Sequence, residues 1–263
     1  MSDEASPSEF GVIIPARYAS KRLPGKPLLD LGGKPMVVRV MELAAQAGAA
    51  FAMVATDDER IVEAVTQAGG EAMLTDADHE TGTDRLAEVA RRLRLDPDTI
   101  VVNLQGDEPT LPPSQVRRVA VALQQDAEAS LATLATPIRD RAELFDPNVV
   151  KVVLNQASRA LYFSRAPIPW LHSEFATEAA RSSSASLADD RFLRHVGLYA
   201  YRVSTLLALS QTRPTLVERA ENLEQLRALW LGMQIQVAVV SELPAPGVDT
   251  EADVERVRKL YAS

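Results

Sequence analysis

Apolar and polar positions follow two rhythms along the first half of the chain. Short apolar runs rich in β-branched residues, Phe10–Ile14, Ala52–Ala55, Ala72–Leu74 and Thr99–Leu104, predict buried strands. Between them, apolar residues at helical spacing predict helices over Val37–Ala47, Glu59–Gln67, Arg85–Leu93 and Pro113–Gln124. The punctuation agrees: Pro15 stops the first strand, Gly48 and Gly69-Gly70 close helices, and Thr56-Asp57-Asp58 can cap the second. Strand–helix alternation at this spacing implies right-handed βαβ units and a parallel sheet with helices on both faces.

The second half changes character. Ser130–Ala135, Val149–Leu154 and Ala160–Phe163 predict strands with no helix between them, which suggests a mixed or antiparallel extension of the sheet. The Ser/Ala-rich stretch 174–188 predicts a mobile surface loop. Leu216–Gly232 predicts one long helix, Ile235–Val240 a strand, and Asp249–Tyr261 a closing helix. The expected organisation is a single domain over residues 10–263 behind a disordered extension, residues 1–9.

Composition narrows the chemistry. The 263 residues are 46% hydrophobic and carry 28 Lys and Arg against 36 Asp and Glu, a net charge of −8. That balance disfavours broad binding to nucleic acid or anionic membranes. With no cysteine, disulfides, thiol catalysis and cysteine-ligated metals are excluded, and a three-histidine metal site would need His79, His172 and His195 together. Met1–Glu9 is acidic and unlike a secretory leader, and every apolar run ends well short of a membrane span, so a cytoplasmic protein is expected.

Within this acidic chain, the segment after the first strand gathers four cations, Arg17, Lys21, Arg22 and Lys26, around Pro24-Gly25. Ligands of open α/β sheets bind beyond the carboxyl ends of the strands, and cations there suit a triphosphate. A solvated basic loop is the plainer alternative. Asp107, after the Thr99–Leu104 strand, can hold a hard cation or simply lead a turn. Asp249 can serve as the N-cap of the last helix. Phosphate-loop, dinucleotide and nucleophile-elbow glycine motifs are missing.

Eight ordered motifs go further: IIPARYASKRLPGKPL, VATDDERI, ADHETGTDRLAE, VNLQGDEP, YFSRAPIPW, FLRHVGLYAYR, LEQLRALW and PGVDT. Together they resemble the 3-deoxy-manno-octulosonate (Kdo) cytidylyltransferase family from Phe10 to about Arg258. The resemblance implies a three-layer αβα fold, Rossmann-like and of the nucleotide-diphosphosugar transferase type, with a mixed central sheet and a smaller sheet extension. It implies transfer of CMP from CTP to Kdo with Mg²⁺ in a homodimer, for lipopolysaccharide assembly. By the same resemblance, Ala16, Arg17, Arg22, Lys26, Thr81, Gly82, Thr83 and Gln105 would bind CTP, and Asp107 and Asp249 would carry the metal. Arg17, Lys26, Asp107 and Asp249 form the implied catalytic set. Arg165, His195, Tyr199, Glu224 and Gln225 would bind the sugar acid.

Those residue types suit a polyhydroxylated acid. Arg165 offers a planar fork to a carboxylate, and the others can meet hydroxyls. Structural roles compete with each. His195 and Tyr199 lie in apolar surroundings and can be core residues. Glu224 and Gln225, adjacent on a helix, would point about 100° apart. Rival readings are a cytidylyltransferase for another ulosonic acid, a nucleotide-binding module without turnover, and a structural partner in an assembly complex. Stretch 174–188 looks longer than the family's connection, which leaves the cover over the sugar side open.

Overall fold

The computed structural model describes residues 9–19, 23–175, 187 and 191–261. They form two compact units: Met1–Gln124 with Leu198–Gln211 and Pro244–Ser263, and Gln125–Gly197 with Thr212–Leu243.

The first unit is built on strands β1 (Phe10–Ala16), β2 (Phe51–Thr56), β3 (Glu71–Leu74) and β4 (Ile100–Asn103). All pair in parallel in the order β3-β2-β1-β4. The buried runs of β1 and β4 are continuous rather than alternating, as expected of strands covered on both faces. Helices α1 (Met36–Gln46), α2 (Glu59–Gln67) and α3 (Gly82–Arg92) connect them. Because the order turns back at β1, right-handed crossovers place α1 and α2 on one face and α3 on the other. A crevice therefore opens between the carboxyl ends of β1 and β4. Helix α4 (Pro113–Gln125) follows.

Local chemistry sets these boundaries. Asp58 accepts from the Arg60 N–H and caps α2, while Thr81 and Asp84 cap α3 reciprocally.

The second unit contains β5 (Leu131–Pro137) paired in parallel with β9 (Ile235–Val239), and β6 (Lys151–Leu154) antiparallel to β7 (Ala160–Ser164). Strand β8 (Leu193–Arg202) starts here, with Leu193 and Arg194 antiparallel to β6, and ends in the first unit antiparallel to β4. The mixed α/β class is thus as expected, with a mixed sheet flanked by helices.

Two expectations need correction, and one helix is unanticipated. A short helix, α5 (Arg141–Phe145), interrupts the strands read as consecutive; Asp140 caps it. The apolar stretch after β8 winds into α6 (Val203–Ser210), a helix that the strand pattern does not disclose. The single helix expected over Leu216–Gly232 is two, α7 (Leu216–Glu221) and α8 (Leu226–Trp230), because Asn222 adopts φ 51, ψ 52 and ends the first. Glu224 and Gln225 therefore sit in the intervening turn.

The stretch 174–188 lies largely outside the described residues (176–186 and 188). Of its described ends, Phe175 is fully buried and Leu187 buried, packed with Ile138, Leu144, Val149 and Phe192. Residues 1–8 lie outside the described residues as well. No helix among the described residues is long and apolar enough to cross a membrane.

Candidate active site

In the first unit, the C-terminal segment completes the crevice. Val248, Val254 and Val257 of the closing helix α9 (Glu251–Tyr261) and its lead-in pack on Leu23, Leu31 and Met36. Burying each such side chain is worth about 1.5–3 kcal/mol, enough to hold the segment down. Val248 N–H donates to the Asp107 carbonyl at 2.8 Å, and Tyr261 Oη to the Pro109 carbonyl at 2.5 Å.

The cap of α9 is Thr250 rather than Asp249. Thr250 Oγ1 accepts from Asp253 N–H at 3.3 Å, and the Asp253 carboxylate accepts from Thr250 N–H at 3.0 Å. Asp249 is thereby released from the structural role its position suggests. Its carboxylate accepts from Lys26 Nζ at 3.0 Å, and Asp107 Oδ2 accepts from the same ammonium at 2.7 Å. Two acids far apart in sequence thus converge on one cation. Lys26 is 9% exposed, whereas the carboxylate side chains keep about half their surface open, at 40% and 48%.

A cleft of about 260 Å³ opens beside this triad, lined by Ala16, Arg17, Lys26, Gly82, Gln105 and Asp107 among others. The Arg17 guanidinium donates to the His79 carbonyl, and Gln105 Nε2 to Asn103 Oδ1 at 3.0 Å. Gly82 opens α3, and the amino end of a helix presents N–H groups suited to an anion. Thr81 spends its hydroxyl on that cap, and Thr83 is buried in the first turn. Gly106 is required by close packing: a Cβ there would lie 2.8 Å from the Pro15 carbonyl oxygen. Glu108, next to Asp107, is pushed up to about 7 by burial and then by the charge of Asp107. Arg22 lies outside the described residues.

Tyr199, also in this unit, pairs across the sheet with Asn103 and stacks on Tyr201 with ring centroids 5.7 Å apart. It is buried at 9% exposure.

In the second unit, Arg165 follows β7. Its Nε donates to the Glu221 carbonyl at 2.7 Å, Nη1 to the Pro147 carbonyl at 2.9 Å, and Nη2 reaches the Asn222 carbonyl at 3.5 Å. His195 lies between Thr133 Oγ1, 3.0 Å from its Nε2, and the Phe163 ring, met edge-on at 5.0 Å. Burial pushes its imidazole down to about 3, so the ring stays neutral. Glu224 Oε1 stands 4.0 Å from the Arg227 guanidinium, which pairs mainly with Glu218. The Gln225 Nε2 is buried and has no hydrogen-bond partner among the described residues.

Two residues in this unit escape sequence reasoning. Lys151 is fully buried, and Glu221 receives both the Ser164 hydroxyl and the Arg165 N–H. A lone lysine inside Val149–Leu154 is the available signal, since a charge in an apolar strand must find partners. Glu221 gives none, being one of two acids on a short helix.

The comparisons with known proteins agree with one another. Residues 11–235 match the family described as cytidylyltransferase. A 3-deoxy-manno-octulosonate cytidylyltransferase of Chromohalobacter salexigens is 55% identical over 255 residues, 97% of each chain. One from Halorhodospira halophila is 52% identical over 254 residues, again 97% of each. Among solved structures, CMP:2-keto-3-deoxy-manno-octonic acid synthetase complexed with CTP superposes with a TM-score of 0.84 at 46% identity. That match covers 97% of this chain and 99% of the other.

Proposed function

We infer the reaction from one premise: the chain belongs to the cytidylyltransferase family. It is a nucleotidyltransferase that moves CMP from CTP to the anomeric hydroxyl of Kdo. The observation that carries this is identity of 55% over 97% of a relative with that activity in its name. The match spans residues of both units, which supports treating 10–263 as one functional domain.

CTP is proposed to occupy the cleft of the first unit. Ala16, Gly82 and Gln105 line it and would frame the nucleoside, with Thr81 and Thr83 setting the helix end beside them. Arg17, Lys26 and, in the proposal, Arg22 offset the charge of the phosphates and of the departing pyrophosphate.

Asp107 and Asp249 fit a divalent cation. Both aim oxygen ligands at a position that already attracts the Lys26 ammonium, and both remain partly open. Among the described residues no group of three or more His, Asp or Glu side chains is placed to hold a metal ion by itself. Magnesium commonly takes one or two carboxylates and completes its shell with phosphate oxygens. When bound, such an ion would neutralise phosphate charge and make the sugar hydroxyl more acidic. Displacing the Lys26 ammonium toward the phosphates would free both acids for that role.

For the acceptor, Arg165 is proposed to meet the carboxylate of Kdo. His195, Tyr199, Glu224 and Gln225 are proposed to meet its hydroxyls. The Gln225 Nε2, buried and without a hydrogen-bond partner among the described residues, supports this, because such a donor is costly unless a ligand completes it. The anomeric oxygen forms the new bond to the α-phosphorus as the bond to pyrophosphate breaks. Its proton passes to solvent rather than to a dedicated side-chain base. A homodimer in the cytoplasm, serving lipopolysaccharide synthesis, completes the proposal.

The test is phosphorus NMR of the product. CTP with Kdo should give a new phosphodiester resonance and free pyrophosphate, while sialic acid should give neither. A product with sialic acid instead of Kdo would reassign the acceptor.

A further inference from the structure

Arg165 is restrained far more heavily than a residue at a surface turn requires. Its own N–H donates to Glu221 Oε2 at 2.9 Å, while Glu221 Oε1 accepts from the neighbouring Ser164 hydroxyl at 2.6 Å. The Ser164 oxygen in turn accepts from Ala166 N–H at 3.0 Å. On the other side, the Arg165 carbonyl accepts from Lys151 Nζ at 2.5 Å. The same ammonium donates to the Val149 carbonyl at 2.6 Å and the Asp146 carbonyl at 3.0 Å. One anion and one fully buried cation thus fix the two peptide groups that flank a single residue.

The side chain is treated differently. All its hydrogen bonds go to main-chain carbonyls, and no carboxylate pairs with the guanidinium among the described residues. A carbonyl orients a guanidinium without cancelling its charge. Glu221 spends both carboxylate oxygens on the Ser164 hydroxyl and the Arg165 main chain. A buried ammonium with carbonyls as its hydrogen-bond acceptors is an expensive way to hold a loop, and burial lowers the affinity of Lys151 for its proton. A neutral residue would serve a loop whose only duty was structural.

We propose that Glu221 and Lys151 are positioning residues for Arg165, fixing its backbone so that an unneutralised guanidinium is presented to the carboxylate of the sugar acid. The proposal rests on the reading that this chain accepts such an acid. A pre-organised fork gains affinity because little of its freedom remains to be lost on binding.

The experiment is a double-mutant cycle on the full chain, read as KM for Kdo, KM for CTP and kcat. Glu221→Ala should raise KM for Kdo about tenfold or more, the size expected when hydrogen bonds to a charged group are lost. KM for CTP should stay within about twofold, since a purely structural defect would move both. In an Arg165→Ala background, Glu221→Ala should add less than about twofold, because its effect runs through that arginine. Glu221→Gln, which keeps one acceptor, should fall between wild type and Glu221→Ala. It also carries the cycle if circular dichroism shows the alanine variant unfolded.

Lys151→Met should repeat the pattern for Kdo in whatever fraction folds. Additive effects of Glu221 and Arg165, or equal rises in both KM values, would overturn the positioning role while leaving the substrate assignment intact. A wild-type protein that makes no CMP–Kdo would remove the premise, and the proposal would fall with it.

Discussion

The two units solve opposite electrostatic problems. In the first, Asp107 and Asp249 are already paired with Lys26. The groups proposed to handle phosphates and metal satisfy one another until a ligand rearranges them. In the second, Arg165 is oriented by carbonyls, and no carboxylate pairs with its guanidinium among the described residues. A self-paired site should lose rate when one member goes, because the survivors are left with unbalanced charge. A pre-organised site should instead lose affinity for one substrate.

The largest effect expected from this contrast is at Lys26. Lys26→Met should lower kcat by about a thousandfold in a pyrophosphate-release assay, the scale of losing a charge that stabilises the transition state. A loss under tenfold would undo the first half of the contrast. Arg165→Ala should raise KM for Kdo by about tenfold to a hundredfold and leave KM for CTP nearly unchanged, which would make the second half quantitative.

His195 supplies a stability test within the second unit. Its imidazole is lowered from 6.5 to about 3 by burial, so the folded chain favours the neutral ring. That contribution is full above the unfolded value and is lost as pH falls through 6.5 toward 3. Urea titrations from pH 7 to 5 should therefore cost the wild type of order 1–2 kcal/mol more than His195→Gln. Equal losses would mean the ring is solvated and open to protonation.

The smallest effect is at Asn222, whose left-handed conformation ends α7 and places a carbonyl near Arg165. Asn222→Ala should cost about 1 kcal/mol, seen as a melting point lower by about 2–4 °C, and Asn222→Gly should not.

The same two units differ in how much of them the sequence discloses. In the first, strand runs, caps such as Asp58 and the cation-rich loop after β1 are readable because neighbouring residues determine them. Asp249 is harder. Beside Thr250 it looks like a cap, and only the Thr250–Asp253 pairing and the packing of Val248 turn it toward Lys26. In the second unit, the apolar spacing of Leu216–Gly232 suggests one helix. Helical periodicity continues across Asn222 even though the backbone does not, so the break is invisible to a pattern count. Helix α6 is hidden for the related reason that an apolar run without polar alternation fits strand and helix alike. Lys151 and Glu221 act on main-chain atoms of residues distant in sequence, and no spacing rule records such contacts.

The most direct test of the account is pyrophosphate release from purified protein with Kdo, Mg²⁺ and each of CTP, UTP, ATP and GTP, run beside Asp107→Ala. The account predicts release with CTP alone, falling to background in the variant. Release with another nucleotide at a comparable rate, or full turnover by Asp107→Ala, would contradict it.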